Sequence, residues 1–230
     1  MNELIKILSA YSLKDAIIIE ENDRQFLAVK NLITRISSKE YIFPLIIANS
    51  LVSYQLSGTG EDYWEEFCNF ALEYKFSDKF SFDELLKFFN IFLPNSKGNK
   101  RILNMKIPRL NKTETLFEKI NGKERYIYEN LVEFQNILAK NMKQDKDSKT
   151  ILFAIKMFHY AARIVFGEFI KASFEIGIPL DSRIAKIEQI YNIPKINSQV
   201  FWQSIAQKIN IPPIHLDAIL WTKCNEFLCF

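Results

Sequence analysis

Apolar residues along this chain recur at steps of three and four almost everywhere, the period of helices with one face turned inward. A first helix is predicted over about 2–11. A second starts after Ser12 and a third after Asn22 or Asp23, the latter with Phe26, Leu27, Ile33 and Ile36 on its apolar side. Residues 39–56 also read as helix, with a start or kink at Pro44. SGTG at 57–60 is a loop, and Glu61 opens a helix running to about Lys75. Further helices are expected near 82–93, 113–120, 124–140, 149–166, 181–191, 198–209 and 213–228. The run Ile17–Ile19 fits helix or strand equally, and strand signals are otherwise nearly absent, so the expected class is all-α with short connections.

Composition narrows this further. Hydrophobic residues are 48% and charged residues 25% of the 230, the balance of a globular domain or two intergrown subdomains rather than of a disordered chain. Six Gly and seven Pro leave little room for long loops. Cys68, Cys224 and Cys229 are an odd set without paired spacing, which argues against a disulfide framework and fits a reducing cytoplasm. With only His159 and His215 beside them, no zinc constellation assembles at the usual spacings, and both histidines read as structural. The N-terminus has no signal-peptide layout, and no apolar run approaches the roughly 20 residues of a membrane span.

Net charge is only +3, but its distribution is uneven. Residues 95–112 carry Lys97, Lys100, Arg101, Lys106, Arg109 and Lys112 with no acid among them. Such a stretch is either a solvated basic loop or a track that follows a phosphate backbone.

The helix predicted over 149–166 carries the first chemical signal. Ile151, Ile155, Phe158, Ala162 and Val165 share one face, which must be buried. Lys149, Phe153, Lys156, Tyr160 and Arg163 form a second row. That row is either an exposed basic face with one stray Phe or the floor of a site for a flat, polar ligand. Lys149 stands at the helix N-terminus, where the macrodipole disfavours a cation, and only a neutral amine is a nucleophile. Asp181, after the Pro-containing turn at 177–179, is either a helix cap or a carboxylate held near a developing cation. Trp202 reads as core, and Trp64 alone would read the same way.

Five blocks in order resemble one family: DRQFLAV at 23–29, NSLVSYQLSGTGEDYWEEF at 49–67, KTILFAIK at 149–156, IPLDSRIAKI at 178–187 and IPPIHLDAILW at 211–221. The chain is similar to the archaeal 8-oxoguanine DNA glycosylases, the AGOG group, a divergent branch of the helix-hairpin-helix glycosylases. KQDKDSK at 143–149 stands where other branches carry a Gly-x-Gly turn, which favours this branch. The resemblance implies a single glycosylase/lyase domain over 1–230, with the hairpin element at about 124–166 and the active site in a cleft between two intergrown helical subdomains.

It also implies roles. Lys149 matches the Schiff-base lysine and Asp181 the catalytic aspartate. Phe153 and Trp221 match aromatics that sandwich an extruded base, and Gln25, Ser53, Trp64, Lys156 and Asp217 match the rest of the pocket. The implied partner is DNA containing 8-oxoguanine, met by a monomer in the cytoplasm near the nucleoid, with no metal or organic cofactor. A helical DNA-binding protein without catalysis, a protein-interaction scaffold, and a glycosylase for another damaged base are the competing readings.

Overall fold

A computed structural model describes residues 2–193, 195 and 198–227. The helices in chain order are α1 (Asn2–Leu8), α2 (Leu13–Asn22), α3 (Arg24–Arg35), α4 (Ile42–Val52), α5 (Gly60–Glu73), α6 (Phe82–Asn95), α7 (Leu103–Asn111) and α8 (Glu114–Ile120). They continue as α9 (Glu124–Glu129), α10 (Leu131–Met142), α11 (Lys149–Phe166), α12 (Ser182–Ile190), α13 (Ser198–Ile209), α14 (Pro213–Thr222) and α15 (Cys224–Phe227). No strand occurs among the described residues, so the all-α expectation holds and Ile17–Ile19 belongs to α2. No described helix is long and apolar enough to cross a membrane.

Local chemistry explains most of the boundaries. Ser12 and Asp15 form a reciprocal capping box at the start of α2, and the Asp23 carboxylate caps α3 by accepting from the Gln25 N–H at 2.9 Å. Pro44 starts rather than kinks its helix. It lies in the first turn of α4, after a 3-10 turn at Lys39–Tyr41, where a missing N–H leaves no carbonyl unpaired. Gly167 ends α11 in the left-handed conformation (φ 66°).

Three expectations need correction. The segment predicted as one helix over 124–140 is broken by Asn130, whose backbone (φ −126°, ψ 51°) is not helical, into α9 and α10. The predicted helix 213–228 is likewise split into α14 and α15 at Lys223, and residue 228 lies outside the described residues. The basic stretch 95–112 is no simple loop, because its second half is α7. Lys106 is wholly buried, bonded to the side chain of Asn99, and burial together with nearby Arg101 drops its pKa to about 8. Arg109 is tied into the interior. This leaves Lys97, Lys100, Arg101 and Lys112 exposed.

Two cores organise these helices. The larger is centred on α4, every residue of which is buried, and on α11, which packs against α4, α3 and α10. The smaller gathers Leu4, Leu8 and Ala16 from α1 and α2 with residues of α12–α15, so the N-terminal helices join the C-terminal ones. Trp202 lies in this core as expected, its indole N–H donating to Glu188 at 2.9 Å. Cys68 and Cys224 are buried free thiols; Cys229 lies outside the described residues.

Helix α11 is buried nearly all round. Of its predicted apolar face, Ile151, Ile155, Phe158 and Ala162 are buried, but Val165, in the last turn, is 38% exposed. The other row is not a solvated basic face, since Lys156, Tyr160 and Arg163 are buried as well. Arg163 reaches Glu20 at 3.1 Å and also pairs with Glu21. His215 Nδ1 lies 2.7 Å from the other oxygen of Glu20, and the Ala172 N–H donates to its Nε2 at 3.2 Å. Beside it, His159 bonds the Ile170 carbonyl at 2.7 Å. Burial, reinforced by repulsion from His215, lowers the His159 pKa to about 4 and keeps the ring neutral. Both histidines are thus structural, as expected.

Candidate active site

Lys149 owes its position to the hairpin before it. Helix α10 ends at Lys143 in the left-handed conformation (φ 52°), and the Gln144 N–H returns to the Ala139 carbonyl at 3.0 Å. Asp145 then turns the chain, accepting from the Asp147 N–H through its side chain at 2.7 Å and from the Ser148 N–H through its carbonyl at 3.1 Å. The side chains of Thr150 and Arg109 both donate to Gln144, at 3.2 and 2.5 Å. Arg109 also donates to Thr150 at 2.9 Å and to the Leu51 carbonyl at 2.8 Å, which ties the start of α11 to the end of α4. Lys149 is thus the first residue of a clamped helix. It is exposed and has no ion-pair partner among the described residues.

One cleft of about 240 Å³ is lined by every residue singled out in the sequence: Gln25, Ser53, Trp64, Lys149, Phe153, Lys156, Asp181, Asp217 and Trp221. They come from α3, the end of α4, α5, α11, the turn before α12, and α14. Ser53 ends α4, with its hydroxyl donating to the Asn49 carbonyl at 2.7 Å.

Asp181 fulfils one reading and keeps the other open. It is the N-cap of α12, Oδ1 accepting from the Arg183 and Ile184 N–H groups, each at 2.9 Å. Its second oxygen makes no hydrogen bond among the described residues, so a half-buried carboxylate on the cleft wall retains free accepting capacity.

At the cleft floor, buried Lys156 Nζ lies 2.5 Å from Asp217 Oδ2. Burial works against the charge on Lys156, but Asp217, Asp23 and Glu20 outweigh it and hold the ammonium above its ordinary pKa. Burial raises the carboxyls of Asp217 and Asp23 above theirs, against the pull of Lys156. Asp23 Oδ2 is buried with no hydrogen bond.

The aromatic walls are held differently. The Trp221 indole N–H donates to Glu61 Oε1 at 3.0 Å, and the Arg183 guanidinium covers one ring face at 3.4 Å from the centroid, leaving the opposite face to the cleft. Phe153 is half-buried and meets the buried Trp64 edge-on, with ring centroids 6.2 Å apart. Trp64 Nε1 is buried and has no hydrogen-bond partner among the described residues, an uncommon state for an indole N–H. Gly60 opens α5 so close to the cleft that an added Cβ would stand 2.8 Å from Gln25 Nε2.

A sequence profile of the AGOG family, described as N-glycosylase/DNA lyase, matches residues 5–226. The chain belongs to this family. An N-glycosylase/DNA lyase of Thermococcus kodakarensis is 41% identical over 224 residues, covering 96% of this chain and 82% of its own. One from Methanococcus maripaludis is 37% identical over 223 residues, covering 96% and 86%. The crystal structure of 8-oxoguanosine-complexed Pa-AGOG, an 8-oxoguanine DNA glycosylase from Pyrobaculum aerophilum, superposes with a TM-score of 0.79. That chain is 24% identical; the match covers 97% of this chain and 87% of that one, and it shows a shared fold. This AGOG-family protein is therefore a DNA glycosylase with lyase activity.

Sequence reasoning missed several residues of the AGOG cleft. Tyr54, Gln55 and Leu56 line it, with Gln55 in the left-handed conformation (φ 49°). They sit in a stretch expected to be helix, and the backbone reversal after Ser53 carries no Gly or Pro to mark it. Glu61 and Arg183, which hold Trp221, lie within the matching blocks but give no signal until their partners are known.

Proposed function

We propose that this AGOG-family enzyme excises 8-oxoguanine from DNA, with Lys149 as nucleophile and Asp181 as the carboxylate that assists it. The observation that carries this reading is the meeting of Lys149, Asp181 and Trp221 in one cleft whose floor is the Lys156–Asp217 pair. The naming of the Pyrobaculum relative as an 8-oxoguanine DNA glycosylase supports the substrate.

A base inside a duplex hides its glycosidic bond, so it must be extruded at a cost of a few kcal/mol. Stacking on an aromatic returns about 1–3 kcal/mol per base, and the cleft offers Trp221 and Phe153 for it. The floor juxtaposes a donor and an acceptor. A guanine edge presents O6 as acceptor and N1–H and N2–H as donors, the complementary set for Lys156 and Asp217. Trp64 Nε1, without a partner among the described residues, supplies a further donor to the bound base. An unsatisfied group of this kind penalises any base that leaves it unpaired.

At the sugar, the neutral amine of Lys149 attacks C1′ while the C1′–N9 bond breaks and the electron pair leaves with the base. Asp181 stabilises the positive charge on the sugar and accepts a proton from the attacking amine. Ring opening gives an iminium linking Lys149 to C1′. Loss of a C2′ proton then expels the 3′ phosphate, breaking the C3′–O bond. Every group in this scheme comes from one chain, which supports a monomeric enzyme, and the buried free thiols suit a reducing cytoplasm where the nucleoid lies. Residues 124–166, covering α9 to α11, serve as the divergent helix-hairpin-helix element.

Release of free 8-oxoguanine from a duplex tests the substrate. The reading expects it to exceed release of any other damaged base or of guanine. Faster release of a different lesion would reassign the substrate, and DNA binding without release would remove the chemistry.

A further inference from the structure

We infer that Glu61 and Arg183 form a latch between the two cores that sets the position of the Trp221 indole, and that this latch acts on capture of the extruded base rather than on chemistry at the sugar. The inference rests on the proposed role of Trp221 as a stacking wall.

Glu61 lies in the first turn of α5, a helix of the larger core, whereas Arg183 and Trp221 belong to α12 and α14 of the smaller one. Two donors from the smaller core converge on a single oxygen of Glu61: the indole N–H at 3.0 Å and the Arg183 guanidinium at 3.2 Å. Arg183 also donates to the Trp221 carbonyl at 3.1 Å and lies flat over its ring. The indole is therefore fixed in plane by Glu61 and on its back face by Arg183. A base slot needs both restraints, because stacking depends on the wall's tilt and on the gap to the opposite ring.

The second oxygen of Glu61 is buried and has no hydrogen bond among the described residues. The Arg183–Glu61 pair is largely buried, at 31% and 15% side-chain exposure, so the cost of desolvating its charges offsets much of their attraction. Its position is better explained by geometry imposed on Trp221. Arg183 reaches Asp181 only through its main-chain N–H, so side-chain substitution leaves the aspartate cap intact.

Abasic-site DNA separates capture from chemistry, because it offers the sugar without a base. Glu61→Ala should lower kcat/KM for 8-oxoguanine excision about tenfold, mostly through KM. Its cleavage of a preformed abasic site should fall much less. Glu61→Gln, which still presents an oxygen to the indole N–H, should recover most of the loss. Arg183→Met is a second variant in case Glu61→Ala fails to fold, and should show the same split. Wild-type excision by both Glu61→Ala and Arg183→Met, or equal loss of excision and abasic-site cleavage, would overturn the latch. Failure of the catalytic reading itself looks different: abasic-site cleavage would then survive Lys149→Gln.

Discussion

Lys156 and Asp217 meet through a 2.5 Å contact at the closed end of the cleft, a buried ion pair with a second buried carboxyl, Asp23, near enough to feel its charge. Removing one partner of a buried pair costs about 3–5 kcal/mol because the other charge is stranded. Lys156→Met should therefore destabilise the protein by about 3 kcal/mol near pH 7. Asp217 already has a raised pKa, so stability tied to its neutral form is lost as pH rises and regained as pH falls. The deficit should shrink in acid, as Asp217 takes up a proton. Denaturant unfolding near neutrality and in acid checks this; a deficit independent of pH would mean that no stranded carboxylate is responsible.

Asp181 caps α12, and one substitution separates that task from the proposed one at the sugar. Asparagine caps helices about as well as aspartate, so Asp181→Asn should leave thermal stability and DNA binding close to wild type. It removes the charge on the cleft wall and, on the proposed role, should lower turnover by about 10²–10⁴-fold. A stable, fully active variant would leave Asp181 as a cap alone.

Gly60 fixes the space that Gln25 occupies. A methyl group there would stand 2.8 Å from the Gln25 amide, so Gly60→Ala must displace that side chain within the cleft. Affinity for 8-oxoguanosine should drop, by about tenfold if a whole hydrogen-bonding group is lost. Stability should change by less than about 1 kcal/mol, since alanine favours the helix. Unchanged affinity by calorimetric titration would show that Gln25 does not touch the base.

His159 makes the fold sensitive to acid. Its pKa is lowered to about 4 from an ordinary 6.5, so the unfolded chain takes up a proton that the folded chain refuses. The stabilisation is fully present above 6.5 and is lost as pH falls toward 4, up to on the order of 3 kcal/mol. Asp23 and Asp217 act with the opposite sign, so the comparison must be with a variant. His159→Gln, which keeps a donor for the Ile170 carbonyl, should flatten the acid limb of the stability curve. The same steepness in both proteins would assign that limb to other groups.

The fold was legible in the sequence wherever helical period and caps agreed. Ser12, Asp23 and Gly167 bound their helices by chemistry that a short window contains. Helix α7 was hidden because Pro108 lies inside it and because Lys106 and Arg109 turn inward, Arg109 toward partners as distant in sequence as Leu51 and Thr150. The break at Asn130 has no Gly or Pro beside it to mark it. The site was legible only as a pattern matched to a family. Spacing put Lys149, Phe153 and Lys156 on one helix row, but Asp217 lies 61 residues from Lys156, and no periodicity reports that contact. The support of Trp221 by Glu61, 160 residues away, was invisible for the same reason.

The central claim is a covalent bond between one lysine and the sugar of damaged DNA, and reductive trapping reads that bond directly. Incubation with an 8-oxoguanine duplex and borohydride, followed by peptide mapping, should find the reduced adduct on Lys149 and none in Lys149→Gln. An adduct on another lysine, or one that persists in Lys149→Gln, would contradict the account.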